Sequence, residues 1–225
     1  MGLEVTRKRS VPHPLAFLAR HEIRTVLDIG ANRGQFAREA LTLFPMAAIH
    51  SFEPLPGIFE ELQAASRAQS RWKAHRFALG AETGWSTIHV NDFSAASSLL
   101  SLTPLATQAF PHVSQTQTAT IRVERLDDWF AQQQLAHNLF VKMDVQGFED
   151  RVIRGGRATL EQAAVLLMEV SFVPLYEGQL LFDDLHGLAK ELGFRCAGVL
   201  GETRDPANGR LLYADAIYVA RKLGL

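Results

Sequence analysis

The chain has 225 residues with 23 basic and 24 acidic side chains, a formal net charge of −1. That length suffices for one full α/β core, and the balanced charge, without a basic stripe, speaks against a nucleic-acid partner. A single cysteine, Cys196, excludes an internal disulfide. No run of about 18 apolar residues offers a membrane span, so a cytoplasmic protein with no membrane partner is expected.

The first tight basic run, Arg7-Lys8-Arg9, reads as a solvated terminus. Thr25–Ile29 then reads as a buried strand. Residues 35–44 follow as a helix, with Phe36, Ala37, Ala40, Leu41 and Phe44 on one face and Pro45 as its stop. A second strand spans 47–52, a second helix 56–68, and a third, more mixed strand 71–78. Each pair is one βα step, and right-handed crossovers assemble such steps into a doubly wound, mostly parallel sheet. After Gly80 the rhythm breaks. Residues 86–90 and 119–123 read as added strands, and 91–118, rich in Ser, Thr and Gln, as an inserted lid. Rhythm resumes with a helix at 126–134 and strands at 139–143 and 164–170. A helix at 181–192 and two closing strands, 195–200 and 212–220, end the chain. These last two flank a polar loop, 201–210, with no helix between them, so they are expected to pair antiparallel. Cys196 falls in the first of them and reads as a packed thiol. No repeat or linker divides the chain, which is expected to form a single domain over 1–225.

The strongest local signal is Asp28-Ile29-Gly30-Ala31-Asn32-Arg33-Gly34, a turn between strand and helix. Gly30 permits a tight turn that lets backbone approach a ligand, and Gly34 lets the helix pack close to the strand. Asp28 is suited to a ligand ammonium. The spacing Gly30, Asn32, Gly34 departs from the G-x-G-x-x-G of dinucleotide binding. Glu53 ends the second strand about 20 residues on, where a carboxylate accepts two hydrogen bonds from a ribose diol. That geometry serves nicotinamide cofactors and S-adenosylmethionine alike. Glu169 stands alone in an apolar strand, so it either reaches a cleft or pairs with a cation such as Lys142. Tyr176 lies in the loop that follows, and His112 is the one lid histidine placed to act on a substrate.

Taken in order, the glycine turn, Phe52-Glu53-Pro54, Ala78-Leu79-Gly80 and Lys142-Met143-Asp144-Val145-Gln146-Gly147-Phe148-Glu149 resemble the motifs of FkbM-type methyltransferases. The likeness runs from about Val26 to Ser171. It implies a class I methyltransferase fold: a Rossmann-like, seven-stranded sheet with an inserted lid and a terminal antiparallel hairpin. It also implies S-adenosylmethionine as cofactor, with Asp28, Gly30, Asn32 and Gly34 at its methionine end. Glu53 would lie on its ribose, and Ala78 and Leu79 beside its adenine. The family's usual motif has an acid where this chain has Gln146, while Asp144, Gly147 and Glu149 match.

The resemblance further implies O-methylation of a sugar, glycoside or secondary metabolite, a small-molecule or glycan acceptor. A hydroxyl is a poor nucleophile at neutral pH, so Asp144, with Glu169 beside it, is the candidate proton acceptor. Tyr176 and His112 are the candidate acceptor contacts. Asp144 and Glu169 would also suit a shared divalent cation, but no third ligand stands out. Two rivals stay open on sequence alone. One is a nicotinamide-dependent oxidoreductase, although the third glycine and a Tyr-x-x-x-Lys relay are missing. The other is a non-catalytic domain of the same fold.

Overall fold

The computed structural model describes residues 13–111, 113 and 115–223; Arg7-Lys8-Arg9 and His112 lie outside them. Ten strands and seven α-helices are described. In chain order they are β1 (Thr25–Ile29), α1 (Gln35–Leu43), β2 (Ala48–Phe52), α2 (Pro56–Arg67), β3 (Trp72–His75), β4 (Ala78–Leu79) and β5 (Gly84–Asn91). Then come α3 (Pro104–Ala109), β6 (Gln115–Glu124), α4 (Leu126–Ala131), β7 (Leu139–Met143), α5 (Glu149–Gly155), α6 (Arg157–Leu160) and β8 (Val165–Ser171). The chain closes with α7 (Phe182–Glu191), β9 (Phe194–Arg204) and β10 (Leu211–Ala220).

Seven strands form the main sheet in the order β3-β2-β1-β7-β8-β10-β9. Pairs from β3 to β8 are parallel, while β10 runs antiparallel to both β8 and β9. Chain order reverses between β1 and β7, which leaves a crevice at their carboxyl ends, the place where open α/β sheets bind ligands. β1 is buried throughout because both of its faces are covered. Leu27 and Ile29 pack in one cluster with Val141, Met143 and Met168, and Val26 packs in the other with Ile49, Phe140 and Val165. The two-residue period of a strand sends alternate side chains to the two layers.

The expected strand at 71–78 is two strands in two sheets. Trp72–His75 extends the main sheet, whereas Ala78 and Leu79 pair with Val123 and Glu124 in a second, three-stranded sheet ordered β4-β6-β5. The segment expected to be a lid is not structureless. β5 and β6 pair antiparallel and reach into it from both sides. Between them lie a 3-10 turn at Ser94–Ala96 and α3, which Thr103 caps by accepting from the Ala106 N–H. β9 runs on to Arg204 against Leu211, so the polar loop is shorter than read from sequence.

Two histidines sit inside this frame with no charge partner among the described residues. His50 Nδ1 lies 3.0 Å from His75 Nε2, and Trp129 packs its edge on both rings. Burial, with Lys73 nearby and for His50 also His75, holds His50 down at about 3 and His75 down at about 4. Unfolded histidine protonates near 6.5, so the unfolded chain takes up these protons first as pH falls. Stability from the pair is therefore present above about 6.5 and lost between there and about 4. Glu53, Glu149 and Asp215, raised by burial, pull the other way over an overlapping range. Replacing both histidines by leucine isolates the term. The variant's melting midpoint relative to wild type is expected to rise as pH goes from 7 to 5, by roughly 1 kcal/mol of relative stability per histidine per pH unit. An offset that does not change with pH would contradict this.

Candidate active site

The β1–α1 turn is built by glycines under tight constraint. Gly30 has φ +74°, and a Cβ there would lie 1.9 Å from the Asp144 carbonyl oxygen. The turn is held down by the Gly30 and Ala31 N–H groups, which both donate to the Phe52 carbonyl, at 3.2 and 3.0 Å. Gly34, at φ +78°, opens α1, and a Cβ there would lie 2.5 Å from the Trp72 ring. Gly34 therefore serves close helix packing and does not line the cleft.

Glu53 is 6% exposed and faces the cleft. Its Oε2 accepts from the Asn32 N–H at 3.1 Å and its Oε1 from the Leu55 N–H at 2.9 Å. One lone pair per oxygen remains for a ligand diol. Burial, opposed by those two backbone donors, pushes the carboxyl up to about 7. Gly30, Asn32, Ala78, Leu79 and Asp144 line the same cleft, together with Ile88 and Ser98.

Asp28 stands behind the floor of the cleft, not on it. It is fully buried, accepts from Ser51 Oγ at 3.0 Å, and lies 3.5 Å from Lys142 Nζ. Lys142 in turn donates to the Gly30 carbonyl at 2.9 Å and pairs with Asp144 Oδ2 at 3.4 Å. Burial opposes the Lys142 ammonium, but Asp144 and Asp28 hold it above the usual lysine range. Asp28 thus fixes the lysine that ties the glycine turn to Asp144. A ligand ammonium meets no open carboxylate at Asp28 itself.

Asp144 is shared by three cavities. One is the Glu53 cleft. A second lies between Gly30, Gln35, Lys142 and Asp215. The third, about 510 Å³, has an apolar wall of Leu102, Ala106, Phe110 and Leu175 facing Glu169, Tyr176, Tyr213 and Asp215. Glu169 reaches this third cavity, and Lys142 does not pair with it. Burial first, and then Asp144, raise Glu169 well above the usual carboxylate range. Tyr176 is buried, its phenol raised by burial and by Glu169, so it stays a neutral donor. Among the described residues no group of three His, Cys, Asp or Glu side chains is placed to hold a metal ion.

One member of the candidate site, Asp215, was missed by the sequence reading, and two, Gln146 and Glu149, were legible only as motif positions with no role. Asp215 is the cross-strand partner of Glu169 and interrupts an apolar strand in the same way, the signal that singled out Glu169. Gln146 has φ +56° and points its amide at Asp144 and Glu169. Glu149 accepts the Val145 N–H at 3.0 Å and so shapes the loop after β7.

The sheet order and the cleft at its reversal define a class I methyltransferase fold. The Methyltransferase FkbM domain family matches residues 28–196, and the chain belongs to that family. It is an S-adenosylmethionine-dependent methyltransferase, not an oxidoreductase. The chain is 32% identical over 161 residues to the 2-O-methyltransferase NoeI of Sinorhizobium fredii, a match covering 69% of this chain and 66% of that protein. Among solved structures it is similar to magnesium protoporphyrin IX methyltransferase of Synechocystis with bound cofactor, at 12% identity and a TM-score of 0.49, covering 92% of this chain and 76% of that one. A putative RNA methyltransferase of Pyrococcus horikoshii, at 13% identity and a TM-score of 0.47, covers 92% and 79%. No helix among the described residues is long and apolar enough to cross a membrane.

Proposed function

We propose that this chain methylates a hydroxyl of a sugar, glycoside or secondary metabolite, with Asp144 as the group that takes the hydroxyl proton. The observation that carries the reading is the meeting of the Glu53 cleft and a carboxylate-lined cavity at Asp144. The relative named as a 2-O-methyltransferase supports a hydroxyl acceptor.

The residues present fit S-adenosylmethionine. Glu53 keeps free lone pairs for a ribose diol, Ala78 and Leu79 offer an apolar wall for adenine, and the Gly30 turn admits backbone contact. When bound, the cofactor supplies an already activated methyl group. The protein then has to align the acceptor hydroxyl, exclude water and accept a proton. Asp144 stands where the cavities join, Glu169 and Tyr176 line the acceptor side, and the apolar wall suits the less polar part of the acceptor. The segment 91–118, whose described residues supply Phe110 and Ala106 to that wall, acts as the lid; His112 lies within it and is a proposed acceptor contact. The whole chain, 1–225, works as one methyltransferase domain.

Incubation with methyl-labelled cofactor and a panel of methyl glycosides, read by mass spectrometry, tests the acceptor class. Transfer to nitrogen or carbon acceptors in place of hydroxyls would overturn it. Glu53→Ala is expected to weaken S-adenosylhomocysteine binding by about 1.5–3 kcal/mol, roughly 10- to 150-fold in calorimetry. Because hydroxyl donors favour the ionised carboxylate, affinity in wild type should also fall as pH drops below about 7, approaching tenfold per unit. Flat affinity across that range would place the ribose elsewhere.

A further inference from the structure

We propose that Gln146 is the positioning residue of this site, an uncharged bridge that holds Asp144 and Glu169 apart and aims Asp144 at the junction of the cavities. The inference rests on Asp144 being the proton acceptor.

Four contacts converge on this one residue. Its Nε2 donates to Asp144 Oδ1 at 2.7 Å and lies 3.3 Å from both oxygens of Glu169. Its Oε1 accepts from the Tyr176 hydroxyl at 2.6 Å. Its backbone carbonyl accepts from Ser98 Oγ at 2.7 Å, which ties it to the 91–118 segment. The amide orientation follows from chemistry: the carboxyl oxygens of Asp144 and Glu169 accept and take the two N–H groups, which leaves the amide oxygen to accept from the phenol, a group able to donate. The backbone supports this at a cost, since Gln146 and Gly147 adopt φ +56° and +90° in succession. A non-glycine residue in that region persists only where its surroundings enforce it.

The electrostatics explain why an amide serves here. Lys142, from β7, already pairs with Asp28 and Asp144. No cation among the described residues lies within ion-pair distance of Glu169. Asp215 and Tyr213 face Glu169 from β10, Glu149 from α5 and Tyr176 from the loop after β8, while the described lid residues lining the cavity carry no titratable group. A third carboxylate at 146 would add like charge where no counter-charge is free, whereas the amide donates to both acids and adds none. It thereby keeps two unlike carboxyls side by side: Asp144 next to an ammonium, and Glu169 raised by burial. Paired groups in unlike environments are how a site divides proton-accepting from proton-holding roles.

The test titrates the side-chain carboxyls of the full chain by carbon-13 NMR, with S-adenosylhomocysteine calorimetry as the control for an intact cofactor cleft. In Gln146→Glu the Glu169 carboxyl is expected to titrate about one pH unit or more above wild type. Gln146→Met removes the donors without adding charge and is expected to raise Glu169 by less. It carries the test if Gln146→Glu does not fold. Tyr176→Phe leaves both N–H donors in place and should shift Glu169 least. Glu169 titrating as in wild type in both Gln146 variants would overturn the proposal. The two readings fail separately. Full turnover in Asp144→Asn removes the base assignment while leaving the titration shifts standing. An inactive Asp144→Asn with unshifted Gln146 variants removes only the role of Gln146.

Discussion

Asp144→Asn is expected to lower methyl transfer by about 10²–10⁴, the usual worth of general acid–base catalysis, with S-adenosylhomocysteine affinity unchanged within a few-fold. The substitution keeps the shape of the side chain, and its amide oxygen can still accept the Gln146 N–H that now reaches Asp144 at 2.7 Å. What disappears is the charge and the capacity to take the acceptor's proton. Lys142 keeps Asp28 as a partner, so the ammonium is not stranded. Steady-state kinetics and calorimetry on the same preparation check both halves. Turnover near wild type would pass the role to Glu169, and loss of folding would make Asp144 a structural partner of Lys142.

Gly30→Ala is expected to be the most damaging single methyl group in the cofactor cleft. The added Cβ would sit 1.9 Å from the Asp144 carbonyl oxygen, a backbone atom that cannot swing aside, at a φ of +74°. Strain of this kind costs about 1–3 kcal/mol per residue before the clash is counted. A loss of roughly 3 kcal/mol would lower the melting midpoint by about 6–12 °C. Cofactor-product binding should weaken as well, because the turn and the Asp144 loop must part. Gly57, in the first turn of α2, is the control, since a Cβ added there would meet nothing within 4 Å. Gly57→Ala should be neutral or stabilising by about 0.4–1 kcal/mol. Equal effects of the two substitutions would contradict the packing assigned to Gly30.

The parallel core was legible because strands buried on both faces read as short apolar runs. β1 and β7 fall where those runs predict. The split at 76–77 was not legible: Trp72–His75 and Ala78–Leu79 form one mixed run, and nothing local says that the second half pairs with β6 in another sheet. α5 and α6 escaped notice because each is too short to show a helical period. They are divided at Gly155-Gly156, where a Cβ on Gly155 would lie 1.9 Å from the Gly80 carbonyl. β9 outran its apolar stretch because it is an edge strand with an exposed face, so polar residues up to Arg204 still pair.

The candidate site was legible where position in the fold decides which residues line the cleft, as with Glu53 at the end of β2 and Asp144 at the end of β7. Asp28 was read as a ligand contact, yet it lies one layer deeper and acts on Lys142. The difference depends on Ser51 and Trp72, whose bonds at 3.0 and 2.9 Å close the space around Asp28 and are remote in sequence. Gln146 was read as a departure from a motif, because only the folded arrangement brings Glu169 and Tyr176 to its amide.

The most direct measurement is a crystal structure with S-adenosylhomocysteine bound. The expected result has the ribose diol on the Glu53 carboxylate at about 2.5–3.0 Å, adenine beside Ala78 and Leu79, and the sulfur directed at the cavity where Asp144, Gln146 and Glu169 meet. An ordered ligand whose ribose is held away from Glu53, or whose sulfur faces away from Asp144, would contradict it.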